Sequence, residues 1–175
     1  DANEDHLAVV RKFLDNRVSL GWTDLDTAFA QVMQRVQSAT HVIYIGDGIV
    51  NTTAADPNAF SNRLKRMYDD KGTFHAVSTG NSYESVVLKT IASLGGGSMR
   101  AISGDKGPRV TATELLQEIS QPALRDIKID FQGLQVAAVY PEQLPNIPAG
   151  RQQILLGRYL PEGQDQVGEV IVTGK

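Results

Sequence analysis

The sequence contains no cysteine, which excludes disulfide bonds and thiolate metal sites but leaves the compartment open. It also has no apolar run near the roughly 20 residues that a membrane-spanning helix needs, so we expect no membrane insertion. The net charge is −3, and no stripe of lysine and arginine runs along any segment. This charge pattern argues against a nucleic-acid partner.

What the chain does contain suits one domain of ordinary size with a small appendage. It has 175 residues, of which 41% are hydrophobic and 21% are charged with mixed sign. Up to about residue 121, helical and strand patterns alternate. This alternation predicts an α/β fold with a mostly parallel sheet flanked by helices. The predicted helices cover about 5–15, 23–37, 58–70, 82–94 and 113–120, and the predicted strands cover 42–46, 73–79 and 98–102.

The helix starts carry their own predictions. Thr23 and Ser82 stand where N-caps are expected. Tyr83 falls on the predicted buried face of the helix that follows Ser82. Apolar residues in the first helix also share one stripe, and they are Leu7, Val10, Phe13 and Leu14.

The pattern changes near Pro122, where apolar and polar residues begin to alternate with a period of two. Four antiparallel strands are predicted over 127–131, 134–140, 152–160 and 169–173, with a proline-rich loop over 141–150. We therefore divide the chain into an α/β part, residues 1–121, and a β-rich C-terminal part, residues 122–175. The second part is short for an independent core.

Asp47 follows the apolar run from His41 to Gly46 and precedes Gly48. A strand that ends in this way puts the carboxylate at the carboxyl edge of the sheet, where open α/β folds bind ligands. A second polar loop, Gly21–Leu25, opens the next amphipathic helix upstream. Two loops that bear oxygen ligands can converge there on one hard cation. A purely structural role is the alternative, because Thr23 can cap a helix and Asp47 can close a turn.

These segments resemble a known family. Gly21-Trp-Thr-Asp-Leu25, Gly46-Asp47-Gly48 and the strand–helix unit that begins Phe74-His-Ala-Val-Ser-Thr-Gly-Asn81 are similar to the von Willebrand factor A (VWA) domain. Val139-Tyr-Pro-Glu-Gln-Leu-Pro-Asn146 and Leu156-Gly-Arg-Tyr159 resemble the segment that follows this domain in proteins similar to inter-alpha-trypsin inhibitor heavy chains. The likeness covers nearly the whole chain and predicts a VWA fold that lacks its first strands.

The resemblance implies a protein-interaction or adhesion module. Such domains bind Mg²⁺, with Mn²⁺ or Ca²⁺ as alternatives, and the cation attracts an acidic group of a protein partner. Thr23 and Asp47 match two of the family's metal ligands, and their neighbours Trp22 and Gly48 are the predicted partner contacts, unless Trp22 is buried against the sheet. The family's Asp-x-Ser-x-Ser loop is absent from the sequence, so we expect weak or no metal binding by this chain alone. An extracellular or cell-envelope location is implied in the same way.

Two other functions compete with adhesion. Asp24-Leu-Asp26 and Gly46-Asp47-Gly48 superficially resemble phosphatases of the haloacid dehalogenase type, but Ala28 stands where that chemistry needs a threonine or valine. No serine–histidine–acid or cysteine nucleophile pattern appears, so we predict that the protein is not an enzyme. The other alternative is a metal-independent structural or assembly module.

Three smaller predictions concern packing. His41 and His75 are expected to be packed histidines rather than ligands. Gly95–Gly97 is expected to stop a helix, because no Gly-Lys-Ser/Thr follows it. Strand 42–46 is expected to have one open edge, covered by another chain, by a swapped segment of a second copy or by the β tail.

Overall fold

Three parallel strands form a central sheet in the computed structural model. They are β1 (His41–Gly46), β2 (Thr73–Thr79) and β3 (Met99–Ile102), with β2 in the middle. Because all three strands are parallel and in register, their carboxyl ends meet at one edge of the sheet. The structure describes residues 3–18, 21, 23–51, 56–104, 106–125, 127–141, 144, 146–150, 152–160, 163 and 165–175.

Helices precede or follow each of these strands, which confirms the predicted α/β fold. In the described part of the chain they are α1 (Glu4–Asp15), α2 (Leu25–Met33), α3 (Pro57–Met67), α4 (Ser85–Ser93) and α5 (Pro108–Ile119). None of them is long and apolar enough to cross a bilayer.

One face of the sheet packs against α2, α3 and α4 and holds the core. Phe74 of β2 is fully buried, and its ring centroid lies 6.3 Å from that of Phe29 in α2. Phe29 also contacts Tyr44 of β1 and Phe60 of α3, with centroid distances of 6.1 Å and 6.3 Å. Leu88 of α4 is fully buried in the same cluster. This aromatic centre fixes α2 and α3 on the sheet and thereby positions the loops at its carboxyl edge.

Two predictions about α4 are wrong. The N-cap is Glu84 rather than Ser82, because the Glu84 carboxylate accepts the backbone N–H of Val86 at 3.1 Å. Ser82 lies too far from the first turn to take that role. Tyr83, predicted to be buried, is 40% exposed because it lies before the first helical residue and outside the buried stripe.

Three helix bounds also differ from prediction. α2 ends at Met33, and Val36 is buried from the following turn rather than from a longer helix. α3 ends three residues before Asp70, which lies in the left-handed region with a φ of 59°. α5 begins at Pro108, five residues earlier than predicted, because proline suits the first turn of a helix.

The apolar stripe of α1 is present but not buried. Leu7, Val10, Phe13 and Leu14 are 46–60% exposed, and α1 has no buried residue. The helix forms through its caps: the Asn3 side chain accepts the N–H of His6, and Asn16 closes the other end. The amphipathic pattern therefore predicted a helix correctly without predicting its packing.

Antiparallel strands make up the C-terminal part, as predicted, but its described residues form six strands where four were expected. They are β4 (Ala123–Leu124), β5 (Lys128–Gln132), β6 (Val136–Tyr140), β7 (Ile147–Pro148), β8 (Leu156–Tyr159) and β9 (Glu169–Thr173). They pair as β4 with β7, β5 with β9 and β6 with β8. The predicted loop 141–150 contains β7, which reaches back to β4 directly after α5.

The β1 strand lies at an edge of the sheet, as predicted. Among the described residues its only strand partner is β2, so no described strand of the β tail pairs with the open edge, contrary to that alternative. The tail strands pair with one another instead. Ile43 and Ile45 of β1 are 42% and 66% exposed. Coverage of this edge by another chain or a swapped segment stays a prediction.

Candidate functional site at the carboxyl edge of the sheet

Asp47 lies in a tight turn directly after β1. One oxygen of its carboxylate accepts the N–H of Ile49 at 3.0 Å, which closes an Asx turn. Gly48 takes a φ of 73°, a left-handed conformation that favours glycine. The turn role proposed as the structural alternative is therefore real. It leaves the second carboxylate oxygen without a hydrogen bond from a described residue.

Tyr44 contacts both glycines that flank this aspartate. Its phenol oxygen accepts the N–H of Gly48 at 3.2 Å, and a Cβ added to Gly46 would lie 2.5 Å from the same oxygen. A Cβ on Gly48 would lie 3.0 Å from Leu88. Burial raises the pKa of the Tyr44 phenol, and the nearby carboxylate of Asp47 raises it further. The Gly-Asp-Gly sequence is thus held rigidly by packing, so Asp47 has a fixed place at the sheet edge.

A second link ties the turn to α4. The N–H of Glu84 donates to the backbone carbonyl of Asp47 at 2.7 Å. The Glu84 carboxylate faces the first turn of α4, where it caps the helix. Sequence reasoning missed Tyr44 and Glu84, because neither residue belongs to a motif and both act through the fold.

Thr23 is not the N-cap of α2, contrary to prediction. Asp24 takes that role: its carboxylate accepts the N–H of Thr27 at 3.0 Å and the Thr27 hydroxyl at 2.8 Å. These hydrogen bonds lower the pKa of Asp24. Thr23 stands one residue too early for its hydroxyl to reach the first turn. It is exposed, and its side chain makes no hydrogen bond with a described residue.

The topology puts Thr23 and Asp47 at the same end of the sheet. The turn that follows α2 lies at the amino end, where Val36 contacts Gly72 just before β2. The helix therefore runs antiparallel to β1, consistent with the contact between Phe29 and Tyr44. Its N-terminus, next to Thr23, is directed towards the carboxyl edge. That the two side chains hold one cation stays a prediction.

The donor set matches only part of a magnesium site. Mg²⁺ takes six oxygen ligands in near-octahedral geometry and usually keeps several waters. Thr23 and Asp47 supply one hydroxyl and one carboxylate, and no group of three or more histidine, cysteine or acidic side chains that could hold a metal ion occurs among the described residues. Asp26, the other acid near this loop, accepts hydrogen bonds from Nε and one terminal nitrogen of Arg63, both at 2.8 Å. The described residues do not form a complete cation site by themselves.

Of the two predicted partner contacts, Trp22 and Gly48, the structure describes only Gly48. Trp22 lies outside the described residues. Gly48 is buried beneath Glu84 and Leu88, so only its backbone shapes the edge of the site. A direct role of Gly48 in partner binding stays a prediction.

A second polar cluster, which sequence reasoning missed, lies towards the amino end of the sheet. His41 and His75 stack with ring centroids 5.4 Å apart, and both are packed residues as predicted. Nδ1 of His75 accepts the N–H of Ser98 at 3.2 Å, so the neutral ring carries its proton on Nε2 and donates it to His41. Arg100 binds Glu118 of α5 at 2.5 Å. The sequence offered one indication of this cluster: His75 and Arg100 occupy positions on the same face of two adjacent strands.

Burial dominates the electrostatics of this cluster. His75 is 2% exposed, and burial lowers its pKa to about 4, against the opposing pull of Glu118. Burial, followed by the charge of Arg125, also lowers the pKa of His41. Arg100 donates to Glu114 at 2.7 Å as well, so its charge is balanced from α5. The charged groups of this cluster are therefore paired mainly with one another.

Comparisons with known proteins support the family resemblance. The chain is 20% identical over 161 residues to human inter-alpha-trypsin inhibitor heavy chain H6, a match that covers 85% of the chain and 12% of that protein. It is 19% identical over 136 residues to pig inter-alpha-trypsin inhibitor heavy chain H2, which covers 78% of the chain and 14% of that protein. The chain thus spans about one eighth of the length of these curated relatives. No protein-family model matches it.

A solved structure, the ArnB paralog VWA2 from Sulfolobus acidocaldarius, is 20% identical and matches 90% of this chain and 48% of its own. The TM-score of 0.45 is too low to support inferences about the site. The sequence similarity to the heavy chains, the order of the motifs and the observed parallel sheet lead to one identification. The chain contains a partial von Willebrand factor A-like domain, and inter-alpha-trypsin inhibitor heavy chains are its homologues.

Proposed function

We propose that this chain is a VWA-type protein-interaction module in which Thr23 and Asp47 supply part of a divalent-cation site for an acidic group of a partner. The single observation behind the proposal is the rigid turn at Asp47. Tyr44, Gly48 and Glu84 fix this turn, and one carboxylate oxygen has no hydrogen bond from a described residue. A preorganised carboxylate at the carboxyl edge of a parallel sheet suits a ligand site better than a simple turn cap.

The chemistry of the two side chains suits a hard cation. A threonine hydroxyl and an aspartate carboxylate are oxygen donors of the kind that Mg²⁺ prefers, and Mn²⁺ and Ca²⁺ share that preference. A cation held with little protein charge would retain affinity for an incoming carboxylate. The remaining ligands would have to come from outside the described residues, which is why we expect weak binding by this chain alone.

A non-enzymatic role agrees with the buried polar cluster. Ser98, His75 and Glu118 lie together, but Ser98 and Glu118 both approach Nδ1 of His75, at 3.3 Å and 4.0 Å. A catalytic triad needs the serine on one ring nitrogen and the acid on the other. Nε2 of His75 is engaged by His41, and the ring is buried. The cluster therefore favours a structural role over catalysis.

We also propose an extracellular or cell-envelope location, in line with the resemblance to inter-alpha-trypsin inhibitor heavy chains. Protease protection on intact source cells checks this location. Loss of the protein on protease treatment supports it, and survival until the cells are lysed contradicts it.

Calorimetric titration of Mg²⁺ tests the cation site. The titration uses this chain and, as an extended form, the chain together with any residues that precede it in the full-length protein. We expect saturable heat and a higher melting temperature in Mg²⁺ for the extended form, and a much weaker response for the present chain. Asp47→Ala should abolish the response, and Thr23→Ala should weaken it.

Asp24→Ala is the matched control, because it removes a neighbouring acid that caps α2. It should lower the melting temperature modestly while leaving the Mg²⁺-induced increase intact. Equal melting of the extended protein in Mg²⁺ and in chelator would instead favour the metal-independent structural or assembly module.

A further inference from the structure

Three consecutive glycines, Gly95–Gly97, were predicted only to stop α4. In the structure this glycine turn is also where the C-terminal part packs against the α/β part. Gly95 and Gly97 pack inside the α/β part: an added Cβ would lie 2.0 Å from the carbonyl oxygen of Gly72 or 1.7 Å from that of Phe74. Gly96 differs from both. Its added Cβ would lie 1.9 Å from the backbone nitrogen of Asn146, a residue of the tail. Gly96 is therefore the glycine that makes room for the tail.

Asn146 holds this contact from the other side. Its side-chain amide donates to the backbone carbonyl of Gly95, so both its main chain and its side chain engage the glycine turn. Gly96 has a φ of 71°, a conformation that also favours glycine. Sterics and a directional hydrogen bond thus place Asn146 at one position on the turn.

The residues that follow Asn146 are anchored at their other end. Ile147 pairs with Leu124 and Pro148 with Ala123, in the strand that directly follows α5. The N–H of Ala149 then donates to the carbonyl of Pro122 at 2.9 Å. Residues 146–148, which we call the strap, are therefore held between the glycine turn and the segment that leaves α5.

A cavity of about 310 Å³ lies beneath the strap. Its walls on the α/β side include Ser98, Arg100 and Glu118, and its walls on the tail side include the whole strap, Gln152 and Gln153. The side chains of Arg100 and Glu118 are only 13% and 8% exposed, and Nε of Arg100 is buried with no partner among the described residues. An incompletely satisfied charged group beneath a short strap would gain hydrogen bonds if water entered.

We propose that residues 146–148 act as a strap that closes the amino end of the sheet, and that their seating on Gly96 controls the access of water to the buried Arg100–Glu118 pair. The seated strap forms one wall of this cavity, and its release exposes the pair and the adjacent Ser98–His75 hydrogen bond to bulk water. The strap couples the C-terminal part to the sheet at the end opposite Asp47. This device does not depend on a cation at Asp47.

Gly96→Ala tests the strap directly, because the methyl group would occupy the position of the Asn146 backbone. Gly80→Ala is the matched control: Gly80 has a φ of 84°, but nothing lies within 4 Å of its added Cβ. Both variants carry the strain of a left-handed alanine, and only the first carries the clash. We expect Gly96→Ala to speed amide exchange of Ala149 by at least about tenfold, and Gly80→Ala to leave it unchanged.

A titration of His75 followed by NMR gives a second readout that a local packing defect would not move. In Gly96→Ala the pKa of His75 should rise from about 4 towards its ordinary value, because water reaches Ser98 and the ring. Asn146→Ala should shift both readouts in the same direction by a smaller amount, since it removes only the side-chain hydrogen bond.

Protected amides in β2 show whether Gly96→Ala still folds. If β2 stays protected while Ala149 exchanges faster and His75 shifts, the strap is supported. If β2 loses protection in Gly96→Ala, Asn146→Ala decides by the same two readouts, because it introduces no clash. Ala149 exchange and a His75 titration that match those of Gly80→Ala in the folded variants would overturn the proposal.

Discussion

The two faces of the central sheet are built from opposite kinds of residue. The face towards α2, α3 and α4 carries Phe74 and Ala76 of β2, both fully buried. The face towards α5 carries His75 and Val77 from the same strand, and Arg100 from the next. Because strand residues alternate between faces, one short strand serves an aromatic core on one side and a charged network on the other.

Side chains on the second face, the one towards α5, also differ strongly in solvent exposure. Near α5, His75 is buried and Arg100 is half-buried, whereas Ile43 and Ile45 on β1 are exposed. The second face is thus polar where α5 covers it and apolar where nothing among the described residues does. The first face supplies most of the hydrophobic stabilisation. The second face depends on a few ion pairs, and removing one partner of such a pair destabilises the fold because the other charge is left unpaired.

Truncating the aromatic core should have the largest effect. Phe74→Ala removes a fully buried ring that contacts Phe29 and Tyr68, and should lower the free energy of unfolding by about 3–5 kcal/mol. Ile45→Ala on the opposite face is the control, because a side chain that is 66% exposed should change stability by less than about 1 kcal/mol. Urea denaturation measures both. A large loss from Ile45→Ala would mean that another chain or segment covers that face.

Breaking the charged network should come next in size. Arg100→Ala leaves Glu118 buried beside His75 without its guanidinium partner, and should cost about 3 kcal/mol. The double variant Arg100→Met with Glu118→Leu removes both charges and should recover most of that loss, since two apolar residues can fill the space. Chemical denaturation of the two variants gives the comparison. A double variant as unstable as Arg100→Ala would show that the network contributes through more than charge balance.

Much of the fold follows from local sequence, because strong periodicity and strong breakers determine elements locally. β2 was predicted with its observed bounds, since a short segment bounded by Gly72 and Gly80 leaves little choice. α1 was predicted as a helix, but its burial was not predictable, because burial depends on which other surface is present. The pairing of β7 with β4 was missed, since two-residue strands carry no periodic signal.

The candidate site was predictable only in part. Asp47 could be placed at a strand end because an apolar run stops there. Tyr44 and Glu84 make this turn rigid, and the sequence did not indicate either residue. The hydrogen bond from the Gly48 N–H to the Tyr44 phenol, for example, corresponds to no recognisable sequence pattern. The cap of α2 was assigned to Thr23 rather than Asp24 because both are good capping residues, and the choice depends on where the helix begins.

The smallest expected effect concerns the pH dependence of the second face. His75 has an ordinary pKa of 6.5 in the unfolded chain and a pKa of about 4 in the folded protein, because burial, His41 and Arg100 oppose its charge more than Glu118 favours it. The unfolded state therefore binds the proton first as the pH falls. Stability contributed by neutral His75 is present above about 6.5 and is lost progressively as the pH falls towards 4. The loss should be on the order of 2–3 kcal/mol.

His75→Gln isolates this contribution, because glutamine keeps a polar side chain that does not titrate. We expect the variant to be less stable at pH 7.5, but its free energy of unfolding should fall less steeply between pH 6.5 and pH 4 than that of the original protein. Urea denaturation across that range measures the free energy of unfolding of both proteins. The carboxylates titrate in both, so their contribution cancels in the difference. Parallel curves for the two proteins would mean that the pKa of His75 is the same in the folded and the unfolded protein. The α5 face would then be open to water, unlike the aromatic face behind it.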